Sequence, residues 1–143
     1  MIQDRLLLDT HILVWLNQGA ANLRVATRTL VESTWQAGGT ILFSAVSVWE
    51  IAALIDKGRI SLDVPLAAWV DRFLDRPGVA VVPLDHHVAA LAYQIGHLRH
   101  RDPADRLLIA TAMKIGCPLV TYDDRVLRFG RDRGSQYGFT ALR

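Results

Sequence analysis

The chain has 143 residues, 51% hydrophobic and 21% charged, which fits one globular domain and excludes a disordered chain. No apolar run approaches the roughly 20 residues of a membrane helix, and the chain does not open with a basic region followed by an apolar stretch, so a cytoplasmic protein with no membrane association is expected. Cys117 is the single cysteine, which excludes an intrachain disulfide and a thiolate zinc cluster; fourteen of the sixteen basic residues are arginine, a residue suited to bidentate phosphate contact.

Leu6-Leu7-Leu8 reads as a buried strand, and Asp9 follows where such a strand reaches the surface. Ligands bind at the carboxyl ends of strands in open parallel sheets. The alternative role for Asp9 is to cap a helix that starts at Thr10. His11 to Asn17 form a short apolar helix ended by Gly19, and a second helix is predicted over about 22–37, with Leu23, Ala26, Leu30 and Trp35 on one face. Thr40 to Ser44 is a second buried strand. The helix from Val46 to Asp56 carries Glu50 as the one charge within residues 41–55. Such a carboxylate needs a partner or a metal unless it reaches water directly, and Ser47 lies one turn before it on the same face.

Pro65 opens a helix that runs to Leu74 and buries Trp69, Val70 and Phe73. Val79 to Pro83 is a third strand. Asp85 then caps a helix in which Val88, Leu91, Ala92, Ile95 and Leu98 keep the 3.6-residue period, with His86 and His87 as surface residues. The basic loop Leu98-Arg99-His100-Arg101 precedes an explicit helix start: Asp102 as N-cap, Pro103 at the first helical position, and Asp105 where an acid complements the helix dipole. Leu107 to Ile115 is almost wholly apolar and predicts a helix buried on most sides. Leu119 to Tyr122 is a fourth strand, and Asp123-Asp124 after it repeats the arrangement at Asp9. Trp15, Trp49 and Trp69 are expected in the core, the alternative being that they line a partner groove. Residues 1–143 are read as a single domain, with about 130–143 an irregular arginine-rich tail.

Strands alternating with helices imply an α/β fold with a central parallel sheet of four or five strands flanked by helices in three layers. Asp9 and Asp123 then emerge at the carboxyl edge, and the helices that follow strands can bring Glu50 and Asp105 there. Like charges about 4 Å apart repel by roughly 4 kcal/mol at an effective dielectric near 20. Hard divalent cations remove that cost, and oxygen-only ligands select Mg²⁺ or Mn²⁺ over zinc.

Four stretches, Leu7-Leu8-Asp9-Thr10-His11-Ile12-Leu13-Val14-Trp15, Ser44-Ala45-Val46-Ser47-Val48-Trp49-Glu50-Ile51-Ala52, Asp102-Pro103-Ala104-Asp105-Arg106-Leu107-Leu108-Ile109-Ala110-Thr111-Ala112 and Leu119-Val120-Thr121-Tyr122-Asp123, resemble the successive blocks of the PIN-domain family. The closest resemblance is to the VapC-type toxins of toxin–antitoxin pairs. It implies a Mg²⁺- or Mn²⁺-dependent endoribonuclease that is commonly homodimeric and is held inactive by a cognate antitoxin. The implied substrate is single-stranded RNA, cut to leave a 5′-phosphate and a 3′-hydroxyl. Carried over residue by residue, Asp9, Glu50, Asp105 and Asp123 match the acidic catalytic and metal-holding positions, and Thr10 and Ser47 match hydroxyl positions near the metals. Asp102 matches a frequently acidic position, and Asp124 adjoins the fourth acid. Arg99, Arg101, Arg125 and Arg128 are candidates for holding the RNA backbone.

Other classes fit less well. An aspartyl-phosphate phosphatase would carry a second aspartate where His11 stands, and a receiver domain would need a late buried lysine where only Lys114 is available. A catalytically silent binding module of the same fold gains no support from missing acids, since Asp9, Glu50, Asp105 and Asp123 are all present.

Overall fold

The three leucines of the first strand point alternately into two different cores, which is why all three must be apolar. A computed structural model describes residues 3–143. Its sheet consists of β1 (Arg5–Leu8), β2 (Thr40–Ser44), β3 (Val79–Val82), β4 (Leu119–Val120) and β5 (Ala141–Leu142). The helices are α1 (Thr10–Gln18), α2 (Val25–Gln36), α3 (Ala45–Asp56), α4 (Leu66–Leu74), α5 (His86–Leu91), α6 (Pro103–Ile115) and α7 (Asp124–Tyr137).

All the strand pairings are parallel, in the order β3-β2-β1-β4-β5. Leu6 and Leu8 pack with Ile41, Phe43 and Val120 against α1, α3 and α4, while Leu7 packs with Leu42 and Leu119 against α6 and α7. The chain winds one way from β1 to β3 and the other way through β4 and β5. The direction reverses between β1 and β4, and the crevice at that reversal is where open α/β sheets hold their ligands. Among the described residues, no helix is long and apolar enough to cross a membrane.

Four elements differ from the sequence reading. The buried face of α2 is Thr27, Val31 and Thr34, while Ala26 and Trp35 are exposed; threonines supply the core face there, which hydrophobic periodicity does not register. Trp49 is not in the core and stands 66% exposed on α3. The helix after Asp85 stops at Leu91 instead of running to Leu98, although Ile95 and Leu98 are still buried. Its continuation is non-helical because the Arg106 guanidinium donates to the carbonyls of Ala92 at 2.7 Å, Leu98 at 2.7 Å and His100 at 2.9 Å, giving them a partner other than a helical N–H.

The segment expected as an irregular tail is the second half of α7 followed by β5, which pairs with β4. Its glycines mark close approach rather than disorder. A Cβ at Gly134 would collide with the Phe139 carbonyl, and one at Gly130 would meet Ala141 at 3.2 Å. Cys117 is buried, as expected for a small hydrophobe, and burial pushes its thiol up to about 11.

Candidate active site

Each strand that ends at the crevice is followed by a helix capped by the residue at the strand's end. Asp9 caps α1 by accepting from the Thr10 N–H at 2.7 Å, and Asp123 caps α7 through the N–H groups of Arg125 at 2.8 Å and Val126 at 3.2 Å. Asp102 caps α6 through Ala104 at 2.9 Å and Asp105 at 3.3 Å. Capping and site roles are therefore compatible, since each carboxylate has two oxygens. Asp9 uses Oδ1 for its cap and turns Oδ2 to the Thr121 hydroxyl at 2.7 Å; Asp123 caps with Oδ1 and leaves Oδ2 3.6 Å from His100 Nε2.

Glu50 reaches the same crevice from α3. Thr10 Oγ1 lies 2.5 Å from Glu50 Oε1 and 2.9 Å from Ser47 Oγ. A threonine hydroxyl has one proton, so when Thr10 donates to the carboxylate, Ser47 donates to Thr10. Thr10 and Ser47 are 1% and 0% exposed, so this chain of hydroxyls fixes Glu50 from inside the protein.

The tightest cluster is Asp105, Asp123 and His100, each offering one ligand atom within 4.8 Å of the others. His100 Nε2 is hydrogen-bonded to Asp105 Oδ2, and His100 Nδ1 is buried without a partner. Asp9 and Glu50 stand beside this trio and are coupled to it by charge. Burial is the main force raising the Asp9 carboxyl above its ordinary range, outweighing the bonds from Thr121 and Thr10, and Asp123 adds repulsion. Burial likewise raises Glu50, with the charges of Asp9, Asp105 and Asp102 adding to it. Asp105 is pushed up to about 6, first by burial and then by Asp9, with the His100 bond pulling the other way.

Neither Asp9 nor Glu50 has an ion-pair partner among the described residues. The donors at the crevice are carboxylate oxygens with one imidazole, and their negative charge is largely uncompensated. That combination fits a hard divalent cation, and Asp105 and Asp123, with His100, are the residues whose ligand atoms lie close enough together to share one.

Of the supporting acids, Asp102 is exposed, yet its charge is felt by both Glu50 and Asp105. Asp124 is exposed and lines a hollow on the far flank of α7, so Asp123 is the acid of that pair turned toward the cluster. Arg99, Arg125 and Arg128 line a hollow that includes His100; Arg101 lines an adjoining one with Tyr93 and Arg106, and Arg99 borders both. His100 is the site residue the sequence reading missed. It has no partner at helical or strand spacing, and its one marker is its position just before the Asp102-Pro103 helix start.

Residues 6–132 match the PIN domain family. The chain belongs to the PIN-domain family. Among PIN relatives, it is 32% identical to Ribonuclease VapC22 of Mycobacterium tuberculosis over 120 residues, covering 84% of this chain and 88% of the relative. Its fold matches a chain of VapBC2 from Rickettsia felis, crystallised with a promoter DNA fragment, at TM-score 0.63 and 16% identity, covering 96% and 97% of the two chains. A chain of FitAcB from Neisseria gonorrhoeae matches at TM-score 0.60 and 20% identity, covering 96% of each. These likenesses account for the parallel sheet and its flanking helices. In this PIN domain, the acids that resemble the family's blocks arrive from β1, α3, α6 and the end of β4 at one crevice.

Proposed function

We propose that this PIN domain is a Mg²⁺- or Mn²⁺-dependent endoribonuclease toxin that hydrolyses phosphodiester bonds of single-stranded RNA and is neutralised by a cognate antitoxin. The observation that carries the reading is the crevice between β1 and β4. Three of its carboxylates are raised above their ordinary range, and among the described residues Asp9 and Glu50 have no ion-pair partner, in a chain 32% identical to a ribonuclease.

Asp9, Glu50, Asp105 and Asp123 are the catalytic and metal-holding set. A hard divalent cation, when bound, supplies Lewis-acid activation of water and stabilises charge on the leaving oxygen. Thr10 and Ser47 hold the Glu50 carboxylate in one orientation, so that no rotamer search is needed when substrate arrives. His100 holds Asp105 through Nε2, and Asp102 fixes the start of α6 on which Asp105 rides. Arginines beside the crevice bind and orient the phosphate backbone, supplying affinity that is independent of the base sequence. The antitoxin and a homodimeric state belong to the same proposal and rest on the toxin-type resemblance; co-purification and sedimentation test them.

The deciding experiment incubates the purified, partner-free protein with a mixed pool of single-stranded RNA in Mn²⁺ or Mg²⁺, against EDTA and against Asp9→Asn. Metal-dependent products that vanish in the variant establish the reading. Equal inertness of wild type and variant on structured and unstructured RNAs would overturn it in favour of a silent binding module.

A further inference from the structure

We infer that the groove between α7 and the 96–100 loop is a subsite for the phosphate backbone of single-stranded RNA next to the bond being cut, an inference that rests on the ribonuclease reading. The groove has a volume of about 480 Å³. Arg125, Arg128 and Arg133 project into it from one flank of α7 at helical spacing, and Arg99 faces them from the loop. Asp132 is the one acid in its lining, so four arginines stand against a single aspartate. Its floor is Leu98 and Phe129, 5% and 7% exposed, which gives the guanidinium groups a rigid base.

The arginines are not occupied elsewhere. Arg99 and Arg128 have no side-chain hydrogen-bond or ion-pair partner among the described residues; Arg125 reaches only Asp123, at 3.9 Å, and Arg133 only Gln136, at 3.4 Å. The position of the groove relative to the chemistry is fixed by one residue. His100 forms its inner wall and also bonds Asp105, so a strand whose reacting phosphate lies at the acids has its neighbouring phosphates at the arginines.

Guanidinium forks match phosphate oxygens in a bidentate way. The four arginines offer donors alone, so the groove holds the backbone and does not discriminate bases. A larger hollow of about 840 Å³ on the opposite flank of α7 also contains arginines, but it is lined by the β5 edge and by none of Asp9, Glu50, Asp105 or Asp123. Arg128 borders both hollows, so Arg143, which lines only the second, supplies the internal control.

The test measures binding of fluorescein-labelled single-stranded RNA to the Asp9→Asn protein across a salt series, so that binding is read without cleavage. Adding Arg99→Ala and Arg133→Ala should lower the slope of log K against log salt by roughly 1.4, at about 0.7 per lost phosphate contact on a single strand. The loss should be equal for RNAs of different sequence. Arg143→Ala, in the other hollow, should leave the slope unchanged, and Arg99→Lys with Arg133→Lys should largely restore it. Circular dichroism confirms that each variant is folded. An unchanged slope in the double alanine variant overturns the groove and leaves it to an acidic polypeptide. If wild type cleaves RNA while that slope is unchanged, the groove fails alone. If wild type does not cleave but the slope falls as stated, the ribonuclease reading fails and the nucleic-acid groove stands.

Discussion

Asp105→Asn should stabilise the metal-free protein at alkaline pH and abolish RNA cleavage. A carboxyl that ionises at 3.8 ordinarily and at about 6 in the folded protein costs the native state about 3 kcal/mol once it is fully charged. The Asp105 side chain is 16% exposed, and screening reduces this to about 2 kcal/mol. The sign follows from proton binding. The folded state holds this proton more tightly than the unfolded chain, so wild-type stability falls as pH rises through the interval from 3.8 to about 6. Above that interval the full penalty applies, and below it there is none. Replacing the charge with an amide removes the penalty while keeping an oxygen for His100. Urea unfolding followed by tryptophan fluorescence in EDTA should therefore show the variant more stable by about 2 kcal/mol near pH 8, a rise of roughly 6 °C in Tm, with the two proteins nearly equal near pH 4. A variant destabilised at both pH values would refute the reasoning, because the His100 bond would then outweigh the repulsion around Asp105.

Arg106→Lys should destabilise by about 2–3 kcal/mol in chemical denaturation, since an ammonium cannot serve the three carbonyls of Ala92, Leu98 and His100 that the guanidinium fork reaches. Thr10→Val should cost about 1–2 kcal/mol of stability and depress cleavage in the RNA pool assay, with Thr10→Ser retaining most of both, because the hydroxyl joining Ser47 to Glu50 is what is lost. Mg²⁺ should raise the thermal midpoint of wild type near pH 8 more than that of Asp105→Asn, as expected for an ion that binds only the folded crevice; equal shifts would place the ion elsewhere. Iodoacetamide should leave Cys117 unmodified near pH 8 in the folded protein and label it in urea, as follows from a buried thiol raised to about 11.

The parts of the site that follow strands were legible because a strand covered on both faces must be apolar along its whole length. The first charge after Leu6-Leu7-Leu8 or Leu119-Val120 therefore marks where the chain leaves the core. Glu50 was legible for the related reason that a single charge in an apolar helix stands out. Capping grammar located Asp102 and the start of α6, and the cap geometry is present in the structure.

What escaped the sequence reading depends on long-range contacts. His100 enters the cluster because Arg106, six residues later, holds the backbone of its loop. The same guanidinium ends the helical run after Leu91, where the apolar period continues without interruption. The helix α7 was hidden by its composition: four arginines and two glycines in one segment read as solvent-exposed chain, yet Gly130 lets β5 pass close by and Gly134 makes room for the Phe139 carbonyl.

The hydrogen bond between Thr121 and Asp9 spans 112 residues of sequence. Contacts of that separation form late, because the entropy of closing so long a loop is lost before any contact compensates for it. The first acid of the crevice is made near the start of synthesis and the last more than a hundred residues afterwards, so a growing chain on the ribosome carries Asp9 without a site for it to belong to. Until β4 has joined the sheet, Asp9 lacks the Thr121 hydroxyl that fixes its Oδ2 at the crevice. The winding order of the sheet thus makes completion of the crevice one of the last events of folding.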